Sequence, residues 1–349
     1  MKKMEVGILG ATGMVGQRFL SLLEHHPWFE ATWVAASDRS AGKKYGEACN
    51  WRLRSPMPVA ARDLEVHECK PGGAPQLIFS SLDSKVAGEI EKEFARAGHV
   101  VVSNSSNHRM DADVPLLIPE VNPDHLALVR TQRKQRGWSG MIVTNPNCTT
   151  VGLVMSLAPL ERAFGLSKVM MTSMQAVSGA GYPGVPTLDI LGNVIPYISG
   201  EEEKVERETQ KLLGQLVDGR VRPGDFAVSA HCNRVMVEDG HTESISVALR
   251  QKVSLGELIE AWRRFRSLPQ ERNLPSAPQH PIVVRDEADR PQPRLDAETE
   301  HGMATVIGRV RPCPVLEFKY TALSHNTIRG AAGAALLNAE LMRSEGYLD

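Results

Sequence analysis

The stretch VGILGATGMVG, residues 6–16, decides the expected fold of the first part of the chain. A short apolar run ends at Leu9, and apolar residues at helical spacing follow the glycines. Glycine at position 10 permits a tight turn, and Gly13 lets the backbone approach a ligand closely. The N-terminus of the following helix favours negative charge. Strand, glycine turn and helix in this order predict a site for a dinucleotide pyrophosphate, although a glycine pattern alone could mark only a tight turn.

The residues beyond this turn repeat the alternation of strand and helix. Strands are expected at 6–9, 32–36, 77–81 and 100–103, and helices at 13–26 and about 84–97. This order is typical of βαβ units around a parallel sheet. We therefore predict an α/β protein whose first domain, residues 1–147, is a doubly wound, Rossmann-type dinucleotide-binding domain.

The pattern changes near residue 147. A strand at 141–144 leads into a helix expected from Cys148 to about Phe164, and longer alternating strands follow. These strands predict a second, antiparallel, mixed α+β domain over residues 148–325. The final helix carries a run of small residues that permits close packing, so residues 326–349 are expected to pack back on the first domain.

Length and composition restrict the class of protein. A chain of 349 residues exceeds the usual size of a single hydrophobic core, and 42% hydrophobic with 23% charged residues is typical of globular proteins. A formal net charge of −1 creates no overall field that would attract nucleic acid or an anionic membrane. The sequence contains neither an apolar run long enough to span a bilayer nor the apolar core of a signal peptide. We expect a cytoplasmic protein that binds small molecules, without nucleic-acid or membrane partners.

One of the five cysteines has the context of a nucleophile. The cysteines are scattered and form no CxxC pair, so we expect reduced thiols and no metal site. Cys148, in TNPNCTT at 144–150, stands at the expected start of a helix. Unpaired backbone N–H groups there would stabilise a thiolate, and later an oxyanion. A buried, unreactive cysteine is the alternative.

A reactive cysteine also needs a proton carrier. The stretch RVMVEDGHTE, residues 234–243, offers Arg234 and His241 on either side of an expected turn at 238–240, which could bring both side chains to one site. Histidine is the natural acid or base near neutral pH. Spacing alone does not distinguish His241 from the other histidines.

The type of dinucleotide depends on the end of the second strand, AASDRSAGKKYG at 35–46. An acidic residue there binds the ribose hydroxyl of NAD, whereas basic and hydroxyl groups accommodate the 2′-phosphate of NADP. Asp38 is present, but Ser37, Arg39, Ser40 and Lys43 surround it. The stretch favours NADP, and a solvated basic loop is the alternative.

Five motifs together resemble aspartate-semialdehyde dehydrogenases of the archaeal and fungal type. They are GATGMVG at 10–16, NPNCTT at 145–150, QAVSGAGYPG at 175–184, RVMVEDGHTE at 234–243 and HNTIRGAAG at 325–333. The resemblance covers essentially the whole chain and implies a second domain of the glyceraldehyde-3-phosphate dehydrogenase-like kind, for catalysis and dimerisation. It implies reduction of L-aspartyl 4-phosphate by NADPH to L-aspartate 4-semialdehyde and phosphate, in lysine, threonine and methionine biosynthesis. It also implies a homodimer or homotetramer.

The resemblance implies a role for individual residues. Cys148 would attack the acyl phosphate to form a thioester, His241 would be the acid and base, and Gln175 would orient the substrate. The implied substrate contacts are Arg234 on the α-carboxylate, Glu201 on the amino group, Arg109 and Lys204 on the phosphate, and Asn147 nearby. An alternative register places Glu202 where Glu201 is expected. The implied cofactor contacts are Gly10, Thr12, Gly13, Met14, Val15, Ser37, Arg39, Ser40, Lys43, Ser80, Ser178, Gly179 and Asn326.

Three rival interpretations remain at this point. N-acetylglutamyl-phosphate reductases share the glycine turn and the cysteine, but usually carry Gly before and Tyr after it, where this chain has Asn147 and Thr149. Malonyl-CoA reductases of some archaea could share nearly all the motifs, although Arg234 and Glu201 favour an amino-acid substrate. A non-catalytic NADP-binding sensor could use the same fold, but a sensor needs no nucleophile such as Cys148.

Overall fold

In the computed structural model, which describes residues 2–348, the chain forms two six-stranded sheets with helices packed on them. The strands are β1 Met4–Leu9, β2 Phe29–Ala35, β3 Val66–His67, β4 Leu77–Ser80, β5 Val100–Ser103, β6 Met141–Thr144, β7 Leu166–Gln175, β8 Gln215–Val217, β9 Arg220–Arg222, β10 Ala227–Arg234, β11 His241–Leu249, β12 Ile282–Val284, β13 Thr305–Pro312 and β14 Phe318–Ser324. The helices are α1 Met14–Leu23, α2 Tyr45–Ala48, α3 Val59–Arg62, α4 Ser84–Arg96, α5 Leu128–Arg136, α6 Cys148–Phe164, α7 Thr187–Ile190, α8 Glu201–Leu212, α9 Leu255–Arg263, α10 Leu268–Glu271, α11 Pro293–Asp296 and α12 Gly333–Ser344. Shorter helical turns lie at Pro123–Ala127, Val177–Ala180, Thr299–Gly302 and Ile328–Ala332.

The first sheet is entirely parallel, in the order β3-β2-β1-β4-β5-β6. This is the doubly wound order. Strands β2 and β3 are added on one side of β1, and strands β4 to β6 are added on its other side, so the order of the strands reverses between β1 and β4. The glycine turn follows β1 and therefore lies at that switch point, where open α/β sheets bind their ligands. The predicted Rossmann-type fold is confirmed.

The second sheet is mixed, in the order β10-β7-β11-β14-β13-β12. Three of its neighbouring pairs are antiparallel, while β7 with β10 and β12 with β13 are parallel. Helices α6 and α9 cover one face, where Leu153, Leu157, Trp262 and Val247 share a core. The other face leaves Met170 and Met174 exposed. The expected α+β architecture of this part is confirmed.

The C-terminal segment returns to the first sheet. The turn at Ile328–Ala332 leads into α12, and Leu336, Leu337 and Leu341 share the core that contains Val6 and Phe19. The return is pinned by a buried ion pair in which the guanidinium of Arg329 donates to both carboxylate oxygens of Glu120, at 2.9 and 2.8 Å. The domain boundaries at 147/148 and 325/326 stay predictions.

Candidate active site

Cys148 is the first residue of α6, and residues 145–147 connect it to the carboxyl end of β6. Asn147 caps the helix, because its Oδ1 accepts from the backbone N–H groups of Thr149 at 2.8 Å and Thr150 at 3.2 Å. These two N–H groups are therefore engaged by the cap, and the N–H of Thr149 also acts on the thiol, whose pKa it lowers. Within residues 2–348, the N–H of Cys148 itself has no hydrogen-bond partner.

The imidazole of His241 faces this cysteine. Its Nε2 lies 3.2 Å from Sγ of Cys148, and its Nδ1 accepts a hydrogen bond from the backbone N–H of Ala176 at 3.1 Å. The expected turn before His241 is present, and Gly240 adopts a φ of 97° there. Burial lowers the pKa of His241 to about 3, with further lowering by the charges of Arg234 and His325. The ring is therefore neutral near neutral pH.

The thiol of Cys148 is neutral near neutral pH. Burial raises its pKa to about 12, and the negative charge of Glu201 adds to that effect. Arg109, Arg234 and the N–H of Thr149 act in the opposite direction but do not outweigh burial. A cysteine at a helix start is thus not enough to produce a resting thiolate here.

Helix α8 brings a charged face to the same place. Glu201 is 6% exposed, and its Oε1 accepts from Nδ2 of Asn147 at 2.8 Å. Lys204 lies one turn on, with Nζ 3.8 Å from the second oxygen of Glu201. Glu202 points elsewhere and accepts from the backbone N–H of Cys232 at 2.9 Å. The geometry therefore favours Glu201 over the alternative register.

Glu208, on the same face of α8, is a site residue that the sequence motifs did not single out. One carboxylate oxygen accepts from Nη1 of Arg109 at 3.0 Å, and the other accepts from the backbone N–H of Asn147 at 2.6 Å. Glu208 thus connects the expected phosphate-binding arginine to the residue that caps the nucleophile's helix. Its spacing of seven residues from Glu201, two helical turns, was the available signal.

Arg234 and Gln175 end neighbouring strands and lie beside the Cys148–His241 pair. They are direct partners in the register of β10 and β7, and both are buried. Nη1 of Arg234 donates to the carbonyl of Ala176 at 2.6 Å, and the Gln175 amide donates to Oγ of Ser173 at 3.2 Å. Residues that are far apart in the sequence therefore lie together near the sulfur of Cys148.

The glycine turn has the geometry that a pyrophosphate requires. A side chain at position 10 would begin 2.8 Å from the carbonyl oxygen of Ser81, and Gly10 has a φ of 74°. A side chain on Gly16 would begin 2.4 Å from the Gly10 carbonyl, so α1 packs tightly against the turn. Gly13 caps α1 without a side-chain hydrogen bond, which leaves the first N–H groups of the helix, at Met14 and Val15, available to an anion.

A cleft of about 850 Å³ lies between the glycine turn and the second sheet. Met14 lines one side and Ser178 the other. Asn326 connects this second side to the turn before His241, since its Nδ2 donates to Oγ of Ser178 at 2.8 Å and its Oδ1 accepts from the N–H of Gly240 at 2.9 Å. Gly179 lies next to the catalytic candidates: a side chain there would begin 3.0 Å from Nη1 of Arg234 and 3.1 Å from Cε1 of His241.

The remaining expected cofactor residues line the edge of the first sheet. Ser37, Arg39 and Lys43 are exposed and Ser40 is partly exposed, in the loop after β2. Within the described chain, Arg39 and Lys43 have no ion-pair partner. Ser80, at the end of β4, is fully buried, and its side chain interacts with the buried carboxyl of Glu91. Thr12 is partly exposed, and Val15 packs partly against the first core.

None of the helices in residues 2–348 is both long and apolar enough to cross a bilayer. Over the same residues, no group of three or more His, Cys, Asp or Glu side chains is placed to hold a metal ion.

The chain matches two family models and full-length relatives. Residues 5–129 match the semialdehyde dehydrogenase NAD binding domain, and residues 157–329 match the semialdehyde dehydrogenase dimerisation domain. The aspartate-semialdehyde dehydrogenase of Methanothermobacter thermautotrophicus is 52% identical over 97% of this chain and 98% of its own, and that of Candida albicans is 45% identical over all of both chains. A crystal structure of the Candida albicans enzyme with NADP has a TM-score of 0.92 at 43% identity, covering 99% of this chain and 100% of that one. This chain belongs to the aspartate-semialdehyde dehydrogenase family.

Proposed function

We propose that this chain reduces L-aspartyl 4-phosphate to L-aspartate 4-semialdehyde and phosphate with NADPH, in the biosynthesis of lysine, threonine and methionine. The observation that carries the proposal is the 3.2 Å contact between Sγ of Cys148 and Nε2 of His241 at the start of a capped helix. A nucleophile and a histidine within hydrogen-bond reach, surrounded by buried charges, fit acyl transfer. The names of the relatives supply the substrate.

Each charged group of the substrate has a partner in the proposed site. The guanidinium of Arg234 is buried and suits the α-carboxylate, because its planar fork can bind both oxygens. Glu201 is a buried carboxylate suited to the amino group. Arg109 and Lys204 supply positive charge for the phosphate, and Asn147 holds the carboxylate of Glu201 beside them. A CoA thioester lacks the amino group that Glu201 would bind.

The covalent steps centre on Cys148. Its sulfur forms a bond to the acyl carbon while the bond from that carbon to the phosphate oxygen breaks, which leaves a thioester. Bound NADPH would supply the hydride that reduces the thioester. Breakage of the C–S bond then releases the aldehyde and a thiolate, to which His241 returns the proton that it took from the thiol in the first step. Gln175, held by Ser173, would orient the acyl group during these steps.

The residues around the cleft fit a dinucleotide. The uncapped start of α1 suits a pyrophosphate, and Ser80 ends β4, the neighbour of the strand that leads into the glycine turn. The exposed Arg39 and Lys43 suit the 2′-phosphate that distinguishes NADP from NAD. Ser178 and Asn326 would face the nicotinamide side.

We further propose a homodimer in the cytoplasm. The open face of the second sheet exposes Met170 by 49% and Met174 by 36%, and this region matches a dimerisation domain. A second copy of the chain would cover that apolar face. All five cysteines are free, as expected in a reducing compartment. Sedimentation equilibrium should show a dimer that Met170→Glu weakens, and a wild-type monomer would contradict this part of the proposal.

The activity has a direct test. Purified chain with L-aspartate 4-semialdehyde, phosphate and NADP should produce NADPH, followed by its absorbance. Cys148→Ala should abolish the signal, while Cys313→Ala, in the β13–β14 connection, should retain it. A wild-type chain that is silent in this assay but oxidises NADPH with malonyl-CoA would show that the proposal is wrong.

A further inference from the structure

Four residues of alternating charge form one stripe along α8. Glu201, Lys204, Glu208 and Lys211 follow one another at spacings of three, four and three residues, which place them on one side of the helix. Val205, beside the stripe, packs into the core of the second sheet, so α8 belongs to that layer of the molecule. The first three members lie at the candidate site, and Lys211 lies at the far end of the stripe.

The ammonium group of Lys211 binds main-chain oxygens from another part of the chain. Its Nζ donates to the carbonyl of Arg109 at 2.7 Å, to that of Asp111 at 2.9 Å and to that of Val114 at 3.1 Å. An ammonium has three N–H donors, and each of these carbonyls takes one. Lys211 is buried, with 6% of its surface exposed. It therefore holds the course of a backbone segment rather than the direction of one side chain.

The segment that Lys211 holds, residues 104–114, contains no regular helix or strand. It follows β5 in the chain and precedes α5 and β6, so it belongs to the layer of the first sheet. Nη2 of Arg136, on α5, lies 2.9 Å from Oδ2 of Asp111 and 2.6 Å from Oδ1 of Asp113, which ties the segment to its own layer. Lys211 reaches the same segment from the layer of the second sheet.

The two cations proposed to bind phosphate come from these two layers. Arg109 belongs to the segment, whereas Lys204 lies on α8, two helical turns before Lys211. Nη1 of Arg109 donates to Glu208 at 3.0 Å, and Nζ of Lys204 lies 3.8 Å from Glu201. The separation between the two cations therefore depends on where the segment lies relative to α8.

Stability does not account for a positive charge at position 211. Burial lowers the pKa of Lys211 from its ordinary 10.5 to about 8, although the charges of Asp111, Glu208 and Asp113 act in the opposite direction. A lowered lysine pKa means that the ammonium is less favourable in the folded chain than in water. The three hydrogen bonds thus do not offset the cost of burial, and their remaining effect is the geometry that they impose.

We propose that Lys211 is a positioning residue for phosphate, which holds residues 104–114 against α8 so that Arg109 and Lys204 flank the phosphoryl group at one fixed separation. This inference rests on the proposed function, from which both cations take their role. Lys211 does not touch the phosphate, because its three N–H groups are bound to carbonyls. Its effect is confined to the phosphate end of the substrate, since the carboxylate and amino group are assigned to Arg234 and Glu201.

The kinetic test is Lys211→Met, which removes the three donors and keeps an unbranched side chain. We expect the KM for phosphate to rise about tenfold, the effect of weakening one hydrogen bond between charged groups, while the KM values for aspartate semialdehyde and NADP stay at their wild-type values. Lys252→Met, exposed in the β11–α9 connection, is the matched control and should alter none of the three. An unchanged KM for phosphate, or an equal rise in all three values, would overturn the inference.

Hydrogen–deuterium exchange tests the same contact in the chain without substrate. The amides of residues 104–114 should exchange about tenfold faster in Lys211→Met, with wild-type exchange in α6 and β11. Lys204→Met should raise the KM for phosphate but keep wild-type exchange in the segment, because Lys204 makes no contact with its backbone among the described residues. Wild-type exchange of the segment in Lys211→Met would overturn the inference.

A further variant covers failure of Lys211→Met to fold. Lys211→Gln retains two N–H donors, so it should show smaller changes of the same kind in both measurements, and the same outcomes would overturn the inference. The exchange result does not depend on turnover. Absence of wild-type turnover would refute the proposed function, whereas the hold of Lys211 on residues 104–114 would still be decided by exchange.

Discussion

The nucleophile centre and the cofactor edge are built on different principles. At the centre, the thiol of Cys148, the ring of His241 and the cap of Asn147 are each held by hydrogen bonds between buried or partly buried groups. At the cofactor edge, Arg39 and Lys43 stand exposed on a loop. The centre is held by hydrogen bonds among its own groups, and the edge offers charge without fixed geometry.

The difference follows from what each region must recognise. Chemistry at a sulfur depends on sub-ångström placement, and that placement requires packed backbone from several elements. A terminal phosphate group on a cofactor is recognised mainly by its charge, which long exposed side chains can meet in many conformations. Perturbing the centre should therefore affect the rate strongly, whereas perturbing the edge should affect cofactor affinity weakly.

Gly330 offers the strongest test of the rigid centre. A side chain at this position would begin 2.7 Å from Cβ and 3.0 Å from Cα of Cys148, so Gly330→Ala must displace the nucleophile. A displacement of about 1 Å costs on the order of 100-fold in rate, and we expect that loss in kcat. The control is Gly72→Ala, where the added group meets nothing within 4 Å. A Gly330→Ala enzyme with wild-type kcat and Tm would mean that the centre tolerates movement.

Glu208 tests whether the centre depends on charges that never touch the sulfur. In Glu208→Gln one of the two contacts, to Arg109 or to the N–H of Asn147, becomes donor against donor. Losing a hydrogen bond to a charged group costs about 1.5–2 kcal/mol, so we expect kcat/KM to fall about 10- to 30-fold. The KM for phosphate should rise more than the KM for aspartate semialdehyde, because Arg109 loses its alignment. Glu203→Gln, exposed on the same helix, is the control; an equal rise in both KM values would indicate only a structural role for Glu208.

Acid should destabilise the centre through His241. Its pKa is about 3 in the folded chain and about 6.5 when unfolded. The unfolded chain then binds more protons below pH 6.5, so the stability from the neutral ring is complete above that pH and is lost as the pH falls towards 3. Between about pH 7 and 5 the resulting loss in the free energy of unfolding amounts to about 1–2 kcal/mol. We therefore expect Tm to fall further over this range for wild type than for His241→Gln, with both measured at one protein concentration. Equal falls would show that the ring titrates normally.

Local pattern was sufficient for the parts of the fold where one segment carries its own signal. The strand, glycine turn and helix at residues 6–16 predicted the first sheet, because the apolar period and the positive φ at Gly10 are local properties. The start of α6 at Cys148 was likewise predicted, because a polar stretch with a proline at 145–147 is followed by an apolar run. The mixed second sheet was less accessible, because the parallel pairing of β7 with β10 depends on contacts between distant segments.

Several features of the candidate site had no local signal. The N–H of Ala176 that orients His241 is a backbone group, which sequence patterns do not display. Glu208 lies in a charged run that reads equally well as a solvated helix face until the helix is docked against Asn147. The thiol of Cys148 is neutral because burial raises its pKa, whereas its position at a helix start alone suggested a lowered pKa. Tertiary burial, rather than residue type, decides these cases.

Arg39 gives the smallest expected effect and tests the flexible edge. An exposed ion pair contributes up to about 1 kcal/mol, so Arg39→Ala should raise the KM for NADP about fivefold or less while leaving kcat unchanged. The KM for NAD, which lacks the 2′-phosphate, should not change, and the NADP effect should shrink at high salt because exposed charges are screened. Arg220→Ala, exposed on the distant β8–β9 hairpin, should alter neither constant. If Arg39→Ala lowered kcat, or raised both KM values equally, the loop would be part of the rigid centre and the contrast between the two regions would not hold.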